Sequence, residues 1–354
     1  MVTYTEKAQG SLLAAALGDG LGAFAECLHY KVVDKKLGSI PPDGHRGAVD
    51  YTDDTSLRLV IYDTMLTWQI DAYNLARRWK EKVVDARVYW TSELYVSAMV
   101  SMGHDPHRIG YTNLLADNAA MAADPFGVLY PCLDELAALR AYEALSICQS
   151  GVGLEGAMAV AAAVSRSMSP DPRMDDVLQA AERWVGKEMK NRIETALSII
   201  EGKDDHREQL YEELLVEDGT ADLVWSDIDS AHPSEMNRRL VDLALGREDI
   251  SMGVSPLEVV PIAIGYAAKG TREPVTAIKS AASFGRDSDT IAGIAGSILG
   301  AFHGIKTFNG ILGMLPPGLV SKSEEISSKL LKLASNIVQT AGAGSDDAKR
   351  LFAA

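Results

Sequence analysis

The chain has 354 residues, 47% of them hydrophobic and 23% charged, with a formal net charge of −15. That is a globular composition, long enough for one large domain or two modest ones, and its acidity works against nucleic acid or an anionic membrane as a partner. A small anionic ligand stays open, because a local cation reverses the field inside a cleft.

Taken in chain order, "GSLLAAALGDGLGAF" (10–24) reads as a small-residue helix with a glycine-rich end. In "DTSLRLVIYDTMLTWQ" (54–69), Leu57, Val60, Ile61 and Met65 share one helical face. Helical patterns continue over 71–83, 133–149, 154–168, 175–200, 235–246 and 324–340. Their stops are Pro and Gly clusters such as "SIPPDGHRG" (39–47), "SMSPDPRMDD" (167–176) and "LGMLPPG" (312–318). "LEVVPIAIGYAA" (257–268) passes for a strand, but it contains Pro261 and sits among helical neighbours. The expected fold is all-α: a single compact multi-helix domain over 5–340, with 341–354 as a flexible C-terminal tail.

Cys27, Cys132 and Cys148 are an odd set without metal-type spacing, which favours a reducing, cytoplasmic setting over a disulfide framework. The opening residues show no basic segment followed by an apolar core. The most apolar stretches, such as 291–302, are short and broken by glycine, so no membrane span is expected.

Two stretches share one grammar. "YTDDTSLRLV" (51–60) sets Asp53 and Asp54 between Thr52 and Thr55 at a helix start, and "FGRDSDTIAGIAG" (284–296) sets Asp287 and Asp289 before Thr290 at another. One such residue is explained by capping and by the helix dipole. Adjacent carboxylates, with a second Asp-x-Asp-Thr far along the chain, exceed what a cap requires. If the two helix starts face each other, these four aspartates cannot all stay ionised without cations or protons between them. An oxygen-only donor set, with Thr52 and Thr290 adding hydroxyls, suits Mg²⁺ or Mn²⁺. Two independent helix caps are the competing reading, and the spacing leaves both open. After the second motif, Ala292, Gly293, Ala295, Gly296 and Gly300 give a helix surface small enough for close approach; a tight core helix accounts for that equally well.

With both motifs in view, and with "GSLLAAALGDGLGAFAE" (10–26) before them, the chain resembles the ADP-ribosylglycohydrolase family, including its dinitrogenase-reductase-activating type. The opening segment is similar to that family's Gly-Asp-Ala-Leu-Gly stretch ending in glutamate. "YTDDTS" (51–56) is similar to its first metal motif and "GRDSDTIAGIAGSILGAFHG" (285–304) to its second, all in the family's order. The resemblance implies an all-helical fold around two Mg²⁺ or Mn²⁺ ions in a cleft. It also implies hydrolysis of a glycosidic bond to ribose, with the ions holding ribose hydroxyls and a water. Carried over, Thr52, Asp53, Asp54, Asp287, Asp289 and Thr290 are the metal ligands. Glu26 is the candidate for acid/base or water-positioning work, with the ligand aspartates Asp54 and Asp287 as further catalytic candidates; an exposed helix-end glutamate is the alternative for Glu26. Asp19 is expected to secure local structure.

The departures bear on substrate. Many family members that act on macromolecules carry an Asn-Gly-Ala-Met-Arg-like stretch, whereas "DNAAMAADPFGVLYP" (117–131) has Ala119 for the glycine and Ala122 for the arginine. A histidine often seen in the following helical segment is replaced within "SICQSGVG" (146–153), and Arg286 stands where many members have glycine. Losing the arginine removes a bidentate phosphate contact. An ADP-ribosylated protein or small adduct is one substrate class, a small riboside or nucleotide-derived metabolite the other. A non-catalytic module binding the same ligands is the third reading.

Other signals are weaker. "GVGLEG" (151–156) matches Gly-x-Gly-x-x-Gly, but the residues before it read as helix rather than the strand a dinucleotide fingerprint needs. His104 and His107 in "GHDPH" read as a surface turn, and His45 and Arg46 as a loop ahead of the first motif. Cys27 reads as structural, and 201–219 as a solvated helix with its connections.

Overall fold

The computed structural model describes residues 2–41, 47–202, 206–215, 251, 253–340 and 346–353. His45, Arg46 and the helix expected over 235–246 lie outside them. The regular structure of the described residues is helical, and the longest fully described connection between α-helices without helix of its own is 110–123. In chain order the helices are α1 (Tyr4–Gly22), α2 (Tyr30–Lys36), α3 (Asp53–Thr67), α4 (Ala72–Lys82), α5 (Thr91–Ser101), α6 (Pro106–Ile109), α7 (Asp124–Leu129), α8 (Asp134–Leu145) and α9 (Val152–Ser167). They continue with α10 (Met174–Arg183), α11 (Lys187–Gly202), α12 (Arg207–Leu214), α13 (Pro256–Lys269), α14 (Pro274–Ala282), α15 (Ser288–His303), α16 (Pro317–Thr340) and α17 (Asp346–Ala353). The strand-like stretch around Pro261 is part of α13. No described helix is long and apolar enough to cross a membrane.

The axis of the fold is the pair α1 and α15. Thr3 and Glu6 start α1 with a reciprocal capping box, and nearly every residue after Lys7 is buried on all sides. A helix surrounded in this way cannot show the polar face of a surface helix, which is why its sequence reads as Ala, Gly and Leu. The two helices run antiparallel with their backbones in contact. A Cβ on Gly10 would lie 2.3 Å from the Gly300 carbonyl oxygen, one on Gly18 would lie 2.1 Å from that of Ala292, and one on Gly22 would lie 2.3 Å from that of Ser288. From the other side, a Cβ on Gly296 would lie 2.2 Å from the Ala14 carbonyl oxygen. Each step of four along α1 is matched by a step of four back along α15, which is ridge-on-ridge packing with the ridges removed. Helix-interior glycine costs about 1 kcal/mol relative to alanine; here it permits backbone contact over the full length of both helices.

That register places the end of α1 against the start of α15. At the opposite end the fully buried Lys7 donates from Nζ to the carbonyl oxygens of Ser167 (3.0 Å), Ala301 (2.9 Å) and Phe302 (3.0 Å), capping α9 and α15 together. Further layers form around this axis, with α8 and α10 against α9 and α11 against α13.

The chain end differs from the flexible tail expected for 341–354. Residues 346–353 form α17, with Ala348 and Leu351 buried, the Phe352 ring tilted against that of Tyr4 at 5.2 Å between centroids and Arg350 paired with Asp171. Three apolar side chains on one face of a two-turn helix were enough to dock it.

Candidate active site

The first motif opens α3 and the second opens α15. Thr52 is the N-cap of α3, its Oγ1 accepting from the Asp54 N–H at 3.4 Å, so the capping reading holds for the threonine. It does not hold for Asp287, which sits at the N-cap position of α15 but makes no side-chain cap bond. Asp19, near the end of α1, ties the first motif in place. Its Oδ1 accepts from the Thr52 N–H (2.8 Å), and its Oδ2 accepts from the Thr55 N–H (2.9 Å) and hydroxyl (2.6 Å). This is the local structural role expected of it.

The two motifs touch. The Thr52 hydroxyl donates to Asp289 Oδ2 at 3.2 Å, and the Thr290 hydroxyl donates to Asp54 Oδ2 at 3.1 Å, a reciprocal exchange between the two helix starts. Asp53, Asp54, Asp287 and Asp289 are all buried. Burial pushes each carboxyl upward, and neighbouring carboxylates push further. Asp53 is raised by burial, then by Glu93, Asp54, Asp289 and Glu26, while Asp289 is raised by burial, then by Asp287, Asp54 and Asp19. Asp54 is pushed up to about 8 by burial against the opposing pull of Arg58, whose Nη2 lies 3.6 Å from Asp54 Oδ1. Arg58 is itself fully buried and is held by Asp124 at 2.8 Å.

Glu26 follows α1 and is 8% exposed, which removes the exposed helix-end alternative. It contributes to the field at both Asp53 and Asp54.

The structure adds Asp117, the first residue of the mid-chain stretch 117–131. Its carboxyl is buried and raised above the ordinary range, first by burial and then by Asp54 and Asp289, and it in turn raises Asp287. Buried carboxyls that raise one another in this way need protons or cations among them. The one available signal was its place beside the mid-chain motif. Glu93, buried on α5, is a second addition through its effect on Asp53.

Among the described residues, no three His, Cys, Asp or Glu side chains already stand in a coordinating arrangement. The donor chemistry nonetheless suits a hard divalent ion. Asp54 Oδ1, Asp117 Oδ2 and Asp289 Oδ1 are buried without a hydrogen-bond partner, and the Thr52 and Thr290 hydroxyls donate to the other oxygens of Asp289 and Asp54.

The weaker signals resolve as local structure. Gly151 initiates α9 after the helical α8, so the glycine pattern there has no preceding strand. Asp105 caps α6, and His107 Nδ1 shares a hydrogen bond with Ser146 Oγ.

The model of the family described as ADP-ribosylglycohydrolase matches residues 1–346. The chain belongs to the ADP-ribosylglycohydrolase family. Members of that family are hydrolases, and this chain is one of them. It is 26% identical over 346 residues to an uncharacterised protein of Archaeoglobus fulgidus, covering 94% of this chain and 99% of that one. To the ADP-ribosylhydrolase ARH3 of Xenopus tropicalis it is 22% identical over 343 residues, covering 86% and 89%. A solved structure titled "ADP-ribosylglycohydrolase-related protein complex" superposes with a TM-score of 0.63 over 94% of this chain and all of that one, at 17% identity. The ADP-ribosylglycohydrolase fold therefore accounts for the helical body up to the terminal helix α17, which the family match only reaches.

Proposed function

We propose that this ADP-ribosylglycohydrolase is a divalent-cation-dependent hydrolase that cleaves a glycosidic bond to ribose in an ADP-ribosyl adduct. The observation that carries the reading is the reciprocal exchange between Thr52 and Asp289 and between Thr290 and Asp54, which gathers buried carboxylates at two facing helix starts. Thr52, Asp53, Asp54, Asp287, Asp289 and Thr290 would hold two Mg²⁺ or Mn²⁺ ions, with Asp117 beside them. Bound ions supply charge that anchors ribose hydroxyls and lowers the pKa of a water. Glu26 holds or moves a proton at its carboxylate as the anomeric carbon gains oxocarbenium character, in a site where burial favours the protonated form of neighbouring acids. The surrounding helices exclude bulk water, and Arg58 balances part of the negative charge.

A second reading, a smaller ribosyl substrate, rests on the cations near the site. Ala122 replaces the arginine of the mid-chain motif and is fully buried, while Arg58 is engaged by Asp124 and Arg286 by Glu258. These leave the pyrophosphate of ADP-ribose without an arginine from those positions. The test is Mg²⁺- or Mn²⁺-dependent product release from ADP-ribosyl-arginine and from a nucleoside pool, read by mass spectrometry. Free ADP-ribose supports the first reading and release only from nucleosides the second. Cation-dependent binding without turnover would replace both with a binding module.

A further inference from the structure

Arg286 has φ +53°, a left-handed backbone conformation that favours glycine, and it stands where the related motifs carry glycine. A bulky residue persists in such a conformation only where its surroundings over-determine it. Here they act from two sides. Along the backbone, the Arg286 N–H donates to the Leu28 carbonyl at 2.8 Å and its carbonyl accepts from the Cys27 N–H at 2.6 Å. The same seam continues in both directions. The Tyr211 hydroxyl donates to the Phe284 carbonyl (3.0 Å) and accepts from the Tyr30 N–H (3.2 Å), and the Ser288 hydroxyl donates to the Gly22 carbonyl (2.9 Å).

At the side chain, Nε and Nη2 fork onto Glu258 Oε1 (2.5 Å) and Oε2 (3.0 Å), and Nη1 donates to Ser251 Oγ (2.9 Å). Arg286 and Glu258 are both buried, and Gly253 lies so close that a Cβ there would sit 2.2 Å from Nη2. The guanidinium is thus spent on α13 and the segment before it rather than offered to a ligand. Glycine at 286 would keep the backbone bonds but lose the tie to α13.

Glu26 is one residue from Cys27, and Asp287 is one residue from Arg286. Two candidate functional side chains from distant parts of the sequence therefore hang from one clamp. We propose that Arg286, anchored by Glu258, is the positioning residue that fixes Glu26 and Asp287 relative to each other. The functional importance of those two rests on the reading above; the clamp itself does not.

The test compares the parent with Arg286→Gly/Glu258→Gln, which removes both members of the buried pair and so strands neither charge, and with Arg286→Lys, which keeps the charge but not the fork. Amide hydrogen exchange at Cys27 is expected to quicken about tenfold in the double variant while amides within α1 keep their protection. On whichever substrate the parent turns over, kcat is expected to fall about tenfold or more with KM little changed, and the lysine variant to fall between. Unchanged exchange at Cys27 would overturn the clamp, as would loss of protection throughout α1, which would mark a general structural role. A raised KM with kcat intact would overturn positioning in favour of substrate contact. A parent inactive on every substrate sinks the functional reading, while the exchange experiment still decides the clamp.

Discussion

Glu26 shows what a single residue's surroundings decide. The family resemblance marked it, and the structure adds that it is buried, not a solvated helix end, and that it raises Asp53 and Asp54. Glu26→Gln keeps the shape and removes the titrating group, so turnover is expected to fall about 10²- to 10⁴-fold with KM nearly unchanged in steady-state kinetics. A glutamine variant as active as the parent would take acid/base work away from this residue. Asp117 is the converse case. In sequence it is an isolated aspartate close to alanines, and its significance comes from the carboxyl it raises, Asp287, some 170 residues further along the chain. Asp117→Asn is expected to weaken Mn²⁺ binding in calorimetric titration by about 10- to 100-fold, in the range of groups that orient metal ligands. Equal Mn²⁺ affinity in the two proteins would place Asp117 outside the cation site.

At the scale of elements, the small-residue character of α1 and α15 was legible, and so were the threonine and aspartates at the start of α3. The sequence did not show that α1 and α15 pack against each other, or in which register, because a glycine stripe states only that something approaches closely. The register follows from the matched steps Gly10 to Gly300, Gly18 to Ala292 and Gly22 to Ser288. Gly18→Ala tests it, since the added methyl falls 2.1 Å from a backbone oxygen that has no rotamer to move. Overpacking of this kind costs about 1–3 kcal/mol, to be read as a lower urea midpoint. The same substitution at Gly310, which has open space around it, is expected to leave the midpoint in place. The terminal helix α17 was missed because it is short and follows the small-residue stretch Ala-Gly-Ala-Gly-Ser (341–345). Its apolar face gains meaning only against distant partners: Tyr4 at the other end of the chain, and Cys132 and Val338.

For the molecule as a whole, gathering acids in the interior links stability to pH and to cations. Burial raises Asp53, Asp54, Asp287 and Asp289 above the ordinary carboxylate range, Asp54 to about 8. The folded state therefore binds these protons more tightly than the unfolded chain. Their contribution to stability is complete below the unfolded carboxylate pKa and is lost as pH rises through the folded value. Protein stripped with chelator is expected to melt at a higher temperature near about pH 5 than near about pH 8.5. Mn²⁺ is expected to raise the melting temperature most at the higher pH, where it replaces the lost protons and binds only the folded arrangement. A chelated protein whose Tm climbs across that interval, or one indifferent to Mn²⁺ at high pH, would contradict a cation site built from these acids.

The sequence by itself determined the helical class, the two Asp-Thr helix starts and the family, because capping residues, helical periodicity and small-residue stripes act over a few neighbouring positions. Only the tertiary structure decided that the two starts exchange hydroxyl hydrogen bonds, that Asp117 and Glu93 join the acids, and that Arg286 is consumed by Glu258. Those facts depend on distances between residues far apart in the chain. Such distances are set by the packing of α1 on α15, and the packing depends on all the elements at once.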